Sequence, residues 1–276
     1  MRVTSLVENH SSREDCGCIH GLSLDIVTEK HHLLFDVGPN ALFLENAKAL
    51  GIDVSTADLC FLSHGHYDHG GGLELFCKRN ERAKVLVAKG AFEPHAVLED
   101  GNYTEIGVLP RVQLAYPDRF MTVSGSLDAE LFVFSDIRGE DYVTAASKSL
   151  LEKTETGYQP DRFFHEQNLI VTASGVRVLF AGCAHRGIVN ILRRGEEIVG
   201  GELDYVFSGF HLTNPVLNID EPRELIEAVG RELAARKKTQ YVTGHCTGDR
   251  PYEILSEMLQ GRLSLMAAGC VFELKA

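Results

Sequence analysis

The run DLCFLSHGHYDHGGGLELF, residues 58–76, restricts this chain more than any other stretch. An apolar segment of buried-strand length (58–64) leads straight into His64, His66, Asp68 and His69, and residues 71–80 then read as the start of a helix. Imidazole and carboxylate groups at this density form a ligand set for zinc, iron or manganese. His64 and His66, two apart on extended backbone, point to the same side. Asp68 and His69, where the helix begins, then face a second ion, and two-metal sites hold their ions about 3.5–4 Å apart. Gly65 and Gly70–Gly72 leave room for a tight turn and close backbone approach. The fold must deliver this loop from the end of a buried strand, where ligands from elsewhere can join it.

The rest of the chain supplies such a scaffold. LSLDIVTE (22–29) alternates apolar and polar residues, and HHLLFDVG (31–38) is a short apolar run, with a turn at EKH between them. ALFLENAKALGI (41–52) has helical spacing and a stop at Gly51. KVLVA (84–88) is a further strand. From about 91 to 164 the pattern is irregular, with weak strands such as LFVFSD (131–136), and reads as an insertion over the active-site edge. Regularity returns with NLIVTA (168–173) and VRVLFAGC (176–183), a hairpin across Ser174 and Gly175. Helices at 187–200, 222–238 and 251–261 then alternate with strands at 204–211, 240–246 and 265–274. Both halves run strands first, then helix and strand in turn. The expectation is an α/β fold, a four-layer αββα sandwich in a single domain over residues 1–276, with polar loops at one edge.

Three histidines stand at predicted strand ends: His185 in GCAHRG, His211 in SGFHL and His245 in TGHCTG. A lone histidine is more often a hydrogen-bonded structural group than a ligand. Three at successive strand ends, in a chain that carries the 64–69 loop, are candidate ligands or acid–base groups. His10, His31, His32 and His95 have no such context and are assigned to the surface.

Composition narrows the partners. Lys plus Arg total 27 against 39 Asp plus Glu, a formal net charge of -12 with no basic stripe. That disfavours nucleic acid and anionic membrane surfaces as partners. No apolar run approaches a transmembrane helix in length, and MRVTSLVENHSS lacks the apolar centre of a signal peptide. Seven scattered cysteines, an odd number, argue for a reducing compartment, the cytoplasm, over a disulfide framework. Cys16-x-Cys18 lacks the spacing of redox and zinc motifs and reads as two free thiols in a loop near the active edge. The oligomeric state stays open, a homo-oligomer included.

These residues resemble the metallo-β-lactamase fold family over essentially the whole chain. Its HxHxDH signature stands here as His64, His66, Asp68 and His69. Asp36 in LLFDVG is similar to the family's strand-end aspartate that braces the metal loop. HGLSLDIVTEKHHLLFDVGPN, SHGHYDHGGGL, FHEQNLIV, LFAGCAHRGIVNIL, SGFHL and TGHCTG further resemble one branch, the 7,8-dihydropterin-6-yl-methyl-4-(β-D-ribofuranosyl)aminobenzene-5'-phosphate synthase-like proteins. The resemblance implies two divalent metal ions, zinc, with manganese or iron as alternatives. His64, His66 and His185 would hold the first, and Asp68, His69 and His245 the second. The chain departs from the pattern at Cys183, where dinuclear members carry a bridging aspartate. A thiolate bridge would favour softer ions. Otherwise a water or hydroxide bridges alone and the second site is weaker, or Glu166 of FHEQ supplies a substitute carboxylate.

Three functions follow. The first is a metal-dependent hydrolase in which water activated at the dinuclear site attacks a small anionic substrate, a phosphoester or lactone. Asp68 is then both ligand and orienter of the nucleophile, and His211 is the candidate acid or contact to the substrate anion. The second, implied by the branch, is a transferase joining a pterin-methyl diphosphate to ribofuranosylaminobenzene 5'-phosphate, with the ions assisting diphosphate departure. The third is a metal-stabilised binding or sensor protein without catalysis. A flavodiiron-type redox centre is disfavoured because those relatives carry glutamate at the position of His66, and a nuclease is disfavoured by the acidic charge. Whether water suffices as acceptor separates hydrolase from transferase.

Overall fold

The computed structural model describes residues 1–276 except Asp100, Pro215, Val216 and Asn218. Asp100, within the expected insertion at 91–164, thus lies outside the described residues. The chain divides into two compact units. One comprises residues 1–123, 150–167 and 267–275, and the other residues 124–149 and 168–266 with Ala276.

In the first unit, β1 (Arg2–Val7), β2 (Ser23–Val27), β3 (His32–Phe35), β4 (Leu59–Phe61), β5 (Lys84–Leu86), β8 (Phe120–Met121) and β20 (Val271–Glu273) form one sheet. Their order is β20-β1-β2-β3-β4-β5-β8. β2 and β3 pair antiparallel across the expected turn, where Thr28 N–H donates to His31 O. β3, β4 and β5 then run parallel, so the chain must cross over a face of the sheet between them. α1 (Leu42–Ala49) makes the first crossover, and α2 (Tyr67–Gly70) with α3 (Leu73–Arg79) the second. Phe43 and Ala47 of α1 and Leu73 and Phe76 of α3 pack with Leu34, Cys60 and Val85 of the strands. Gly51, at φ 72°, ends α1 as the sequence predicts.

A second sheet of this unit runs β12-β11-β6-β7. It pairs β6 (His95–Glu99) and β7 (Asn102–Glu105) with β11 (Leu150–Thr154) and β12 (Gly157–Pro160). α4 (Arg111–Ala115) leads on to β8. Much of the stretch that looks irregular in sequence is therefore regular structure of the first unit.

The second unit repeats the plan. β9 (Gly125–Ser126), β10 (Leu131–Phe134), β13 (Asn168–Ala173), β14 (Val176–Phe180), β15 (Tyr205–Phe207), β18 (Gln240–Thr243) and β19 (Leu263–Leu265) lie in the order β19-β18-β15-β14-β13-β10-β9. A hairpin again comes first, β13 to β14, turning at Ser174 (φ 52°) and Gly175 (φ 78°). Parallel β14, β15, β18 and β19 follow. α6 (Ile188–Val199), α7 (Arg223–Ala235) and α8 (Asp249–Leu259) make the crossovers. They bury Leu192, Leu233 and Leu255 against Leu179, Val206 and Tyr241. Even an aromatic pair recurs. Phe35 stacks on Phe61 and Phe180 on Phe207, each with ring centroids 5.2 Å apart, because each pair is directly opposite in register. α5 (Ala145–Lys148) and a small ladder of β16 (Thr213–Asn214) with β17 (Ile219–Asp220) complete the unit.

Two sequence expectations need correction. The apolar run 265–274 is not one strand: β19 closes the second unit's sheet, while β20 pairs antiparallel with β1 in the first. Gly269 (φ 87°) turns the chain between them, and an apolar run does not reveal where a chain changes sheets. The N-terminal residues form β1, a buried strand that no regular alternation announces. Among the described residues, no helix is long and apolar enough to cross a membrane.

Candidate metal centre

The 64–69 loop leaves β4 and is governed by one carboxylate. Asp36, just past β3, is fully buried and holds a left-handed backbone at φ 57°. For a non-glycine residue that conformation costs about 1–3 kcal/mol and persists only where the surroundings over-determine it. They do. Asp36 Oδ1 accepts from Ser63 N–H at 2.7 Å. Its Oδ2 accepts from Ser63 Oγ–H and from His69 Nδ1–H, each at 2.7 Å. Ser63 Oγ, its own proton committed to Asp36, accepts from His64 Nδ1–H at 2.9 Å. His64 and His69 therefore both carry their proton on Nδ1 and offer Nε2 as a lone-pair donor, the pattern by which a carboxylate orients a metal-binding imidazole. His69 Nε2 lies 3.5 Å from Asp68 Oδ2, a spacing that lets both bind one ion. The donor set thus fits the divalent ions that the loop implies.

The glycines are steric requirements. A Cβ on Gly65 would stand 2.5 Å from Ala91 O, and one on Gly71 would stand 2.3 Å from Pro39 O. Both neighbours are backbone and have little room to yield.

Several histidines outside the predicted site residues lie against carboxylates. His20 Nε2 lies 3.4 Å from Asp68 Oδ2, in the loop that carries Cys16 and Cys18. His95, expected at the surface, is 2% exposed, with Nδ1 2.9 Å from Asp161 Oδ2. His32, expected there too, is only partly exposed and contacts Asp25 Oδ1 at 2.6 Å. His165, 1% exposed, has Nε2 3.1 Å from the same Asp161 oxygen. The D-x-x-x-H spacing of Asp161 and His165 was the available signal, but it follows no predicted strand.

Burial sets most of the ionisation in the first unit. It raises the Asp36 carboxyl above its usual range, against the pull of His69 and Ser63. It drives His66 well below the ordinary imidazole value, and the neighbouring His165 adds to the effect. A neutral imidazole is the form that ligates. His69 goes the other way, because Asp68 and Asp36 outweigh its burial. Burial acts against the Asp161 carboxylate as well, but the bonds from His165 and His95 win and hold it below the usual range. Glu166 is buried in this unit.

The second unit carries the other predicted residues, again at the ends of parallel strands. Ala184, His211 and His245, after β14, β15 and β18, hold left-handed backbone at φ 55°, 49° and 49°. With Asp36 they make four strained strand ends, the places where such strain collects when a site is built. His185 and His211 stand edge to face, centroids 4.3 Å apart. Ser147 Oγ lies 3.0 Å from His211 Nδ1, and Thr144 caps α5 by accepting from Ser147 N–H. Glu221 fixes that helix by accepting from Ala146 N–H at 2.8 Å. His211 is thus held at Nδ1. Cys183 is buried, and its carbonyl accepts from Cys246 Sγ at 3.7 Å.

Comparisons with known proteins bear on the family and the fold. A family model of the metallo-beta-lactamase superfamily matches residues 21–201. The chain is 30% identical to the 7,8-dihydropterin-6-methyl-4-(beta-D-ribofuranosyl)-aminobenzene-5'-phosphate synthase of Methanocaldococcus jannaschii, over 92% of this chain and 90% of that protein. Its structure is similar to that of Tm1679, a metal-dependent hydrolase of the beta-lactamase superfamily, with TM-score 0.83, 25% identity and 100% of both chains covered. Zn2+-bound PqqB from Methylobacterium extorquens shares the fold, with TM-score 0.58, 12% identity, and 99% of this chain and 100% of that one covered. Sequence and structure agree over nearly the full length, so the α/β fold is of the metallo-β-lactamase type and the chain belongs to the metallo-beta-lactamase superfamily.

Proposed function

We propose that this chain is a two-metal transferase that joins a pterin-methyl diphosphate to ribofuranosylaminobenzene 5'-phosphate. The observation that favours a transferase is the 30% identity to the archaeal synthase over 92% of the chain. In this reading His64, His66 and His185 hold one ion and Asp68, His69 and His245 the other, with zinc as the first choice and manganese or iron as alternatives. The Asp36–Ser63 hydrogen bonds support that set, since they leave Nε2 of His64 and of His69 free of protons. Bound there, the ions supply Lewis acidity toward the departing diphosphate. His211, held at Nδ1, contacts an anionic group of the substrate through Nε2 or passes it a proton. Cys183 or Glu166 takes the place of the usual bridging aspartate.

A second reading, hydrolysis of a small phosphoester or lactone, is favoured by the likeness to the hydrolase Tm1679 at TM-score 0.83. Asp68 would then also orient the attacking water. The net charge of -12 argues against nucleic acid or an anionic membrane surface as the partner. None of the seven cysteines forms a disulfide, which supports the cytoplasm.

The test begins with metal content on protein purified anaerobically without chelator. About two ions per chain, falling in Asp68→Ala, is the expected result. The loaded protein then receives the pterin-methyl diphosphate with and without the aminobenzene acceptor. Joined product that requires the acceptor supports the transferase. Diphosphate released equally fast without acceptor supports the hydrolase instead. A chain that holds metal but shows no measurable turnover, with or without the acceptor, is the metal-stabilised binding or sensor protein of the third reading.

A further inference from the structure

Within the first unit, His66, His95, Asp161 and His165 each offer a donor atom, and the four atoms lie within 4.8 Å of one another. A third metal ion is the obvious occupant, but the hydrogen bonds argue against it. Gly65 N–H donates to His165 Nδ1 at 2.9 Å. That nitrogen therefore carries no proton, and the neutral ring has its one proton on Nε2. Asp161 Oδ2 accepts that proton at 3.1 Å. An ion at His165 Nε2 would displace it and leave an imidazolate. Asp161 is already engaged elsewhere, for its Oδ1 accepts from Phe163 N–H at 2.6 Å and its Oδ2 also meets His95 Nδ1.

We propose that Asp161 and His165 are positioning residues for the metal loop: Asp161 fixes the His165 tautomer, and His165 holds the Gly65 amide between His64 and His66. Gly65 needs such an anchor because it lacks a Cβ to restrict its backbone. The rest of the loop is pinned in the same manner by neighbouring segments. Gln167 N–H donates to Ser63 O and Gln167 Nε2 to Leu62 O. Val108 N–H donates to Gly65 O and Tyr67 N–H to Ile106 O. Of these contacts, only the one to Gly65 N–H depends on a side chain with two tautomers. The proposal rests on the reading of His64 and His66 as metal ligands.

The test uses two amides, each copying one nitrogen of the ring. His165→Asn puts a carbonyl oxygen near the Nδ1 position, and His165→Gln puts an N–H donor near the Nε2 position. Cobalt(II) affinity and the visible spectrum of the loaded full chain are read for each. Loss of an outer hydrogen-bond partner typically weakens a metal site about 10–100-fold, so His165→Gln should fall by about tenfold or more with a changed spectrum, while His165→Asn stays within about threefold of the parent. Equal loss in both variants, or retention in both, overturns the proposal. So does a parent that binds one more cobalt than His95→Gln and His165→Asn, which would make the cluster a third metal site. Should His165→Gln not fold, imidazole nitrogen shifts of the parent decide the matter. An Nε2–H tautomer at His165 with and without metal is expected, and an Nδ1–H or ligated ring overturns it. A parent that binds no cobalt sinks the metal reading beneath the proposal, a failure distinct from all of these.

Discussion

Replacing Asp36 with asparagine perturbs the logic of the site with almost no change of shape. In the parent, one Asp36 oxygen accepts from Ser63 N–H, and the other accepts from Ser63 Oγ–H and His69 Nδ1–H. An amide NH2 in the second place donates where the carboxylate accepted. His69 answers by moving its proton to Nε2. Ser63 Oγ turns its proton toward His64 Nδ1, and His64 then carries hydrogen on Nε2 as well. Both rings now present N–H where they had presented a lone pair. Flipping the amide only moves the clash to Ser63 N–H. To bind an ion, each ring must return to the Nδ1–H form and leave a buried donor facing a donor, at about 1–3 kcal/mol per ring. Two rings make about 2–6 kcal/mol, which is roughly 30-fold to four orders of magnitude in affinity. Zinc titration of the apo chain against a chromophoric chelator measures it, with circular dichroism to show that the variant is folded. A folded Asp36→Asn chain whose zinc affinity stays within about threefold of the parent would refute the tautomer argument.

Two further outcomes follow from contacts already described. Gly65→Ala drives a Cβ to 2.5 Å from the Ala91 carbonyl oxygen, and overpacking against backbone should cost about 1–3 kcal/mol, read as a lower urea midpoint of the apo chain; an unchanged midpoint would mean that the loop has slack. His32 is raised above its ordinary value, chiefly by its hydrogen bond to Asp25, against burial, with Asp58 adding to the shift and Arg2 opposing it. A raised folded-state pKa stabilises fully below the unfolded value of about 6.5, and the contribution disappears as pH climbs through the folded value. The stability gap between the parent and His32→Gln should accordingly be widest at acid pH and narrow toward alkaline pH in paired urea titrations. A gap that widens with pH would reverse the sign of the coupling.

The elements that sequence reveals here are those whose signal is local. The HxHxDH run, the stops at Gly51 and Gly175 and the amphipathic helices α6 to α8 need only a few neighbouring residues to be read. What escapes is decided by distant pairing. His95 looks like a lone surface residue because its burial depends on β11, more than fifty positions onward, pairing with β6. His165 precedes a strand instead of following one, so a search for ligands at strand ends passes over it. Its meaning comes from Gly65, 100 residues earlier. Ser63 looks like a spacer until the positive φ of Asp36 turns a carboxylate onto it. The split of 265–274 escapes for a related reason, since hydrophobicity records that a segment is buried but not in which sheet.

The first unit is discontinuous along the chain, and that has a consequence for the order in which the protein can be made. Translation delivers residues 1–123 at about 5–20 residues per second, and these residues hold the four side chains of the metal loop. At that moment the loop lacks Asp161, His165 and Gln167, and β1 lacks its edge partner β20. Joining β1 to β20 closes a loop of roughly 270 residues, an entropic cost on the order of 5 kcal/mol that only the finished contacts can offset. A nascent chain thus displays a flexible histidine-rich segment well before it can hold a metal ion in fixed geometry. On the two-metal reading proposed above, loading would follow synthesis, and a fragment cut at residue 123 would be an incomplete sheet rather than half an enzyme.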